Sequence, residues 1–205
     1  FNEIFNSREC GTFLQGGRLQ FYNFNDSDYL LLTTGNNVWN KPDNSSQDKK
    51  SIFGKILYIN PSNGNYDIFS LGHRNPQGLF AENNLILETE HGPYGGDEIN
   101  KIEFGKNYGY PVSSYGEFYS FKKDKEKLKK PIYKLLKSHK DNDFKEPIYS
   151  FVPSIGISEI EKISNNFSEY WIDNFLVTSL NGRTIFRIKF DNSFEKVTYM
   201  EPMYL

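Results

Sequence analysis

Along the chain, short apolar bursts alternate with clusters of Gly, Asn, Asp and Pro, and no long 3.6-residue period competes with that rhythm. Arg18 to Tyr22 and Tyr29 to Thr34 read as a first strand pair around the polar turn Asn25-Asp26-Ser27. Ile52 to Asn60 follows, then the turn Pro61-Ser62-Asn63-Gly64 and the strand Tyr66 to Ser70. Gly78 to Ala81 and Leu85 to Glu90 flank Asn83-Asn84, and Glu98 to Phe104 comes next. A later set comprises Pro147 to Phe151, Ser158 to Ile163, Asn174 to Leu180, Thr184 to Phe190 and Lys196 to Met200. The stretch 124–138 could hold a helical turn, but Pro131 breaks it.

This pattern predicts an all-β fold: sandwich, barrel or propeller. The 205 residues suit one domain, 1–205, interrupted by a polar insertion at about 112–146. A propeller blade takes about 40–50 residues, so the rest of the chain amounts to about four blades. An incomplete ring would leave apolar blade faces exposed, which suggests a chain that starts and stops inside a longer protein.

Composition agrees with packed strands. Aromatic residues make up 17% of the chain, with 18 Phe and 14 Tyr. The net charge of −2 offers no nucleic-acid surface and no polybasic membrane patch. Asp124 and Glu126 interrupt the basic run Lys122 to Lys130, which reads as a solvated loop or short helix. No stretch approaches the roughly 20 apolar residues of a spanning helix. The single cysteine, Cys10, cannot form an internal disulfide and leaves the redox compartment open.

Three loops carry candidate chemistry. Gly72-His73-Arg74-Asn75-Pro76-Gln77-Gly78 places one permanent cation, one imidazole and two amides between glycines. Arg74 could hold a planar anionic or carbonyl group through its fork of donors, or simply make a surface pair at a tight turn. Glu90-His91-Gly92-Pro93-Tyr94-Gly95-Gly96-Asp97-Glu98 mixes carboxylates with a Gly/Pro-shaped backbone, the oxygen-rich mixture that calcium takes. It could equally be a polar turn with Asp97 capping a strand edge. Gly105-Lys106-Asn107-Tyr108-Gly109-Tyr110-Pro111 by itself is a turn with packed aromatics.

Taken in order, these three loops resemble the pyrroloquinoline quinone (PQQ)-dependent soluble glucose dehydrogenase and aldose sugar dehydrogenase family. Gly16-Gly17-Arg18-Leu19, Gln47-Asp48 with Gly54-Lys55-Ile56-Leu57-Tyr58-Ile59-Asn60, Pro153-Ser154-Ile155, and Ser179-Leu180 with Phe186-Arg187-Ile188-Lys189 resemble further family segments. The resemblance implies a six-bladed β-propeller of four-stranded antiparallel blades, with cofactors PQQ and Ca2+ and a small-molecule sugar as substrate. It also implies a periplasmic or extracellular setting. No signal peptide is visible, and oligomeric state is not readable.

Carried over residue by residue, Arg74 matches the arginine that contacts the quinone, with Asn75 beside it. Gly92 and Pro93 match the pair whose carbonyls hold the cofactor calcium, and Glu98 and Tyr108 match ligands of a structural calcium. Tyr149 and Ser154 match PQQ contacts. Three departures stand out. Leu14, preceded by Phe13, occupies the position of the family's histidine base, and neither side chain accepts a proton. Asn181 stands where a cofactor-contacting lysine belongs, and Ser114-Tyr115-Gly116 where some members supply more calcium ligands. His73 or His91 could substitute as base. The chain therefore reads as a sugar dehydrogenase with an altered base or, alternatively, as a non-catalytic, calcium-stabilised propeller that binds a ligand or partner protein.

Overall fold

The computed structural model describes residues 3–7, 9, 14–37, 44–117 and 138–204. Cys10, Phe13, the basic run Lys122 to Lys130 and the broken helical turn before residue 138 lie outside them. Twelve strands form three four-stranded antiparallel sheets. The first holds β1 (Gly16–Phe24), β2 (Ser27–Thr34), β3 (Lys55–Ile59) and β4 (Tyr66–Leu71) in that order. The second holds β5 (Pro76–Glu82), β6 (Leu85–Glu90), β7 (Asp97–Lys101) and β8 (Tyr149–Phe151). The third holds β9 (Ile157–Lys162), β10 (Asn174–Ser179), β11 (Thr184–Phe190) and β12 (Val197–Tyr204). Two single 3-10 turns, Lys140–Asn142 and Glu169–Trp171, are the only helical segments among the described residues.

Every strand read from the sequence is present. The tight hairpins follow from their turn residues: Asn25 and Asp26 sit at φ 51° and 59° between β1 and β2, and Asn83 at φ 54° between β5 and β6. Asn and Asp tolerate that left-handed conformation, which matches the twist of paired strands. The described residues form three blades, where the chain length suggested about four. The difference lies in the loops, because 44–54, 91–96 and 102–117 consume chain around the site rather than building strands.

Sequential sheets meet at their first strands, β5 lying between β1 and β9. Arg18 on β1 joins all three sheets. Its Nε donates to the Gln77 carbonyl at 2.5 Å and its Nη1 pairs with Glu159 at 2.8 Å. Glu159 in turn accepts from the Leu79 amide at 3.3 Å. Between the first and second sheets, Leu31, Ile56, Phe69, Leu79, Ile86 and Ile102 form one core. Between the second and third, Phe80, Leu87, Ile99, Phe151, Phe175 and Val177 form another. Lys55 is fully buried, and its ammonium is capped by the carbonyls of Ser45, Ser46 and Phe53 at 2.6–3.1 Å. That satisfies the charge and pins the 44–54 loop across the ends of the strands.

Phe175 is 1% exposed and touches Phe80, Phe190 and Phe194 edge-on or nearly so. Phe175→Ala is expected to cost about 3–5 kcal/mol by denaturant unfolding. Tyr204, 80% exposed, should tolerate alanine within about 0.5 kcal/mol. Similar losses for the two would contradict this core assignment.

Candidate functional site

The site lies at the end of the sheets where β2, β6 and β10 finish. Gly72 opens it with φ 83°, a left-handed conformation that glycine adopts freely. A Cβ there would also fall 2.2 Å from Asn107 Oδ1. Asn107 is locked to Gln47 by a reciprocal amide pair at 2.7 and 3.1 Å, which ties the Gly105–Pro111 loop to the 44–54 loop. His73 is then fully buried, its ring stacked on Tyr108 and its nitrogens facing Ser70 Oγ at 2.9 Å and Glu90 Oε1 at 3.3 Å.

Arg74 follows, 3% exposed. Its amide donates to Glu90 Oε2 at 2.5 Å and its carbonyl accepts from Asn36 at 2.7 Å, so the backbone is held on both sides. Nη1 donates to the carbonyls of His91 at 3.0 Å and Gly92 at 2.7 Å. Nε is buried and has no partner among the described residues. A buried donor without a partner costs about 1–3 kcal/mol, so this nitrogen is set up to receive an acceptor from outside the chain.

Strand alternation gathers the acids. The register of β6 and β7 pairs Glu88 with Asn100 and Glu90 with Glu98, so three carboxyl groups share the face toward the first sheet. Asn100 donates to Glu88 at 3.0 Å and to Glu90 at 3.3 Å. Burial, and then the charge of Glu90, push the carboxyls of both Glu88 and Glu98 well above their ordinary value. Beside them lies a gap of ≈ 10 Å³, about one water-sized sphere, lined among others by Glu90, Gly92, Pro93, Glu98, Tyr108 and Ser114. Carboxylate, carbonyl and hydroxyl oxygens around such a gap suit a hard cation.

A larger cleft of ≈ 770 Å³ opens next to this gap, and His91 lines both. Tyr94 and Gly95 form one wall, Val152, Pro153, Ser154 and Gly156 the other, with Asn181, Tyr115 and Glu117 at its margins. Burial lowers the His91 imidazole, with Arg74 acting in the same direction and Asp97 against it. Burial and a 2.7 Å hydrogen bond to Glu146 push the Tyr115 phenol up to about 12.

The structure therefore brings Arg74, Gly92, Pro93, Glu98 and Tyr108 around the small gap, with Asn75 next to Arg74 in the chain, while Ser154 and Asn181 line the adjoining cleft. It refines three readings. The Tyr108 hydroxyl points away, donating to Lys101 O at 2.6 Å and accepting from Glu103 N at 2.9 Å, so only its main chain could reach a cation. Asn75 spends its side-chain oxygen on Gln77 at 3.0 Å. Tyr149 lines neither cavity; its ring packs edge-on against Phe151 at 4.8 Å, on the outer strand of the second sheet. Leu14 stands at the same end as Arg74. Its carbonyl presses on Gly35, where a Cβ would come within 1.4 Å, and Gly35 precedes the Asn36 that holds Arg74.

The sequence reading missed Glu88, whose signal was its spacing of two from Glu90 on one strand, and it read Asp97 as one of the acidic groups of a calcium-type loop or as a strand-edge cap, not as the link between two walls. It also assigned nothing to His139, which lines the small gap 1% exposed. Burial lowers that imidazole.

With this geometry in place, the class of protein is clear. A family model described as Glucose / Sorbosone dehydrogenase matches residues 1–204, and the chain belongs to that family. It is 37% identical over 120 residues to aldose sugar dehydrogenase YliI of Escherichia coli (strain K12), covering 51% of this chain and 31% of that protein. Quinoprotein glucose dehydrogenase B of Acinetobacter calcoaceticus is 44% identical over 84 residues, 35% of this chain and 18% of that one. The solved soluble aldose sugar dehydrogenase of Escherichia coli, in its apo-form, superposes with a TM-score of 0.70 at 26% identity, over 89% of this chain and 52% of that chain. The chain thus spans about half the length of that solved relative. These relatives agree with an incomplete set of propeller blades.

The raised Glu88 carboxyl makes a pH prediction. The folded chain keeps a proton that the unfolded chain releases above about pH 4.5, so stability present below that value is lost as pH rises. Each such proton contributes a slope of at most about 1.4 kcal/mol per pH unit. Glu88→Gln, unfolded in denaturant with a calcium chelator between about pH 5 and pH 8, should show a shallower decline than the parent. An unchanged slope would remove Glu88 from this role.

Proposed function

We propose that this chain carries the cofactor site of a PQQ- and calcium-dependent dehydrogenase that oxidises aldose sugars at the anomeric carbon. One observation carries the reading. A buried arginine with an unpartnered Nε lines an oxygen-lined gap, and that gap shares His91 with a cleft large enough for a planar cofactor. The family assignment and the name of the quinoprotein relative support it.

Gly92 and Pro93 would offer carbonyls to the cofactor calcium, and Glu98 with the Tyr108 main chain would hold the structural one. When bound, PQQ supplies a two-electron acceptor and calcium a Lewis acid. Arg74 contributes a fixed positive charge from a site that excludes water, where a cation acts more strongly than in solvent. Ser154 and Asn181 border the opposite wall and orient what lies between. A periplasmic or extracellular setting belongs to the same reading.

The position of the family base is Leu14, so the proton of the sugar's anomeric hydroxyl needs another acceptor. His73 is fully buried and committed to Ser70 and Glu90. His91 faces the cleft, and its Nδ1 lies 4.0 Å from Asp97 Oδ1, which leaves Nε2 as the nitrogen to take the proton. In the full-length protein with calcium, PQQ should bind with a shifted absorbance spectrum that bleaches on adding an aldose. His91→Gln should bind PQQ normally and lose about 10²–10⁴-fold in kcat.

A second reading is favoured by Leu14 and Asn181: a non-catalytic propeller that keeps calcium for structure. Calcium that raises the Tm while PQQ fails to bind would decide for it, since a ligand of the native state stabilises by mass action.

A further inference from the structure

Asp97 is fully buried at the start of β7, on the face opposite Glu98. Its carboxylate accepts four hydrogen bonds, none from a Lys or Arg. Oδ1 accepts from the Gly92 amide at 3.1 Å and from the Ser154 hydroxyl; Oδ2 accepts from the amides of Ile155 and Ile157, each at 3.0 Å. The two segments it joins are the two walls of the cleft, 91–96 from the second blade and 152–157 leading into the third.

The peptide between His91 and Gly92 has its N–H on Asp97 and its C=O on Arg74 Nη1 at 3.0 Å. A planar peptide cannot turn one end without the other. The position of the arginine is thereby linked, through one rigid plane, to the position of Asp97. From Asp97 the chain of contacts continues to Ser154 on the far wall. The Ser154 hydroxyl has a single proton, and Asp97 takes it, so that oxygen can meet the cleft only with lone pairs.

We infer that Asp97 is the positioning residue of this site: through the His91–Gly92 peptide it fixes Arg74 relative to Ser154 on the cleft wall, and it turns Ser154 into a hydrogen-bond acceptor. The group opposite Ser154 in a bound molecule is therefore an O–H or N–H donor. The inference rests on the cofactor reading for the identity of that molecule, but its geometric part does not.

Asp97→Asn keeps the shape and replaces one acceptor oxygen with a donor. It is tested in the full-length protein beside Phe190→Ala, which opens a cavity at the opposite end of the third blade, where Phe190 is 6% exposed. Without cofactor, the Arg74 Nε–H resonance should shift and the Gly92, Ile155 and Ile157 amides should exchange faster in Asp97→Asn only. With calcium present, the Kd for PQQ should rise at least about tenfold in Asp97→Asn and stay within about twofold in Phe190→Ala. An unmoved Arg74 Nε–H signal, or equal losses of PQQ affinity in two variants of similar Tm, overturns the positioning role. If the parent protein binds no PQQ, the dehydrogenase reading fails, and the resonance and exchange measurements still decide the role of Asp97.

Discussion

Four buried carboxyl groups crowd the ends of β6 and β7, and their need for hydrogen-bond donors organises the whole functional end of the molecule. Burying such groups is costly unless each finds a partner. Glu90 collects the amides of Arg74 and Asn75 together with His73, and that folds the 72–78 loop over the second blade. Asp97 collects three amides and a hydroxyl, and that draws the two cleft walls together. Glu88 and Glu98 are left with fewer donors, and burial keeps their carboxyls high. A cation near Glu98 would answer that deficit, which is the physical basis of the calcium site proposed above.

The apolar scaffold makes this arrangement tolerable. Each face of the second sheet divides lengthwise: toward the first sheet, Ile86 and Ile102 lie at one end and Glu90 and Glu98 at the other. Toward the third sheet, Leu87, Ile99 and Phe151 pack against Phe175 and Val177, with Asp97 at the cleft end of the same row. Hydrophobic burial between blades holds strands in register, and polar groups at one rim use that register. The Arg18–Glu159 pair does similar work near the first strands, where it ties three sheets by hydrogen bonds rather than by area.

Chemically, the described residues gather a buried cation, backbone carbonyls and an acidic gap, and Leu14 offers no proton acceptor. Of the histidines that could compensate, tertiary packing separates them sharply: His73 is sealed beneath Tyr108, whereas His91 opens onto the cleft. Family membership establishes the ancestry of the fold, and the proposed reaction rests on the groups that meet at the cleft.

Much of this was legible in the sequence for a physical reason. Strand alternation and turn chemistry are local, so period-two bursts and Asn/Asp/Gly turns marked the twelve described strands, and ordered loop motifs carried the family resemblance. Local rules could not say where a side chain points once distant loops meet. That Tyr108 turns its hydroxyl toward Lys101, and that Tyr149 faces Phe151 rather than the cleft, depend on packing that local rules do not report. Asp97 shows the limit most plainly. Its neighbours in the chain make it a strand cap, and only the approach of residues 154–157, nearly sixty positions later, makes it the point where both walls of the site are held.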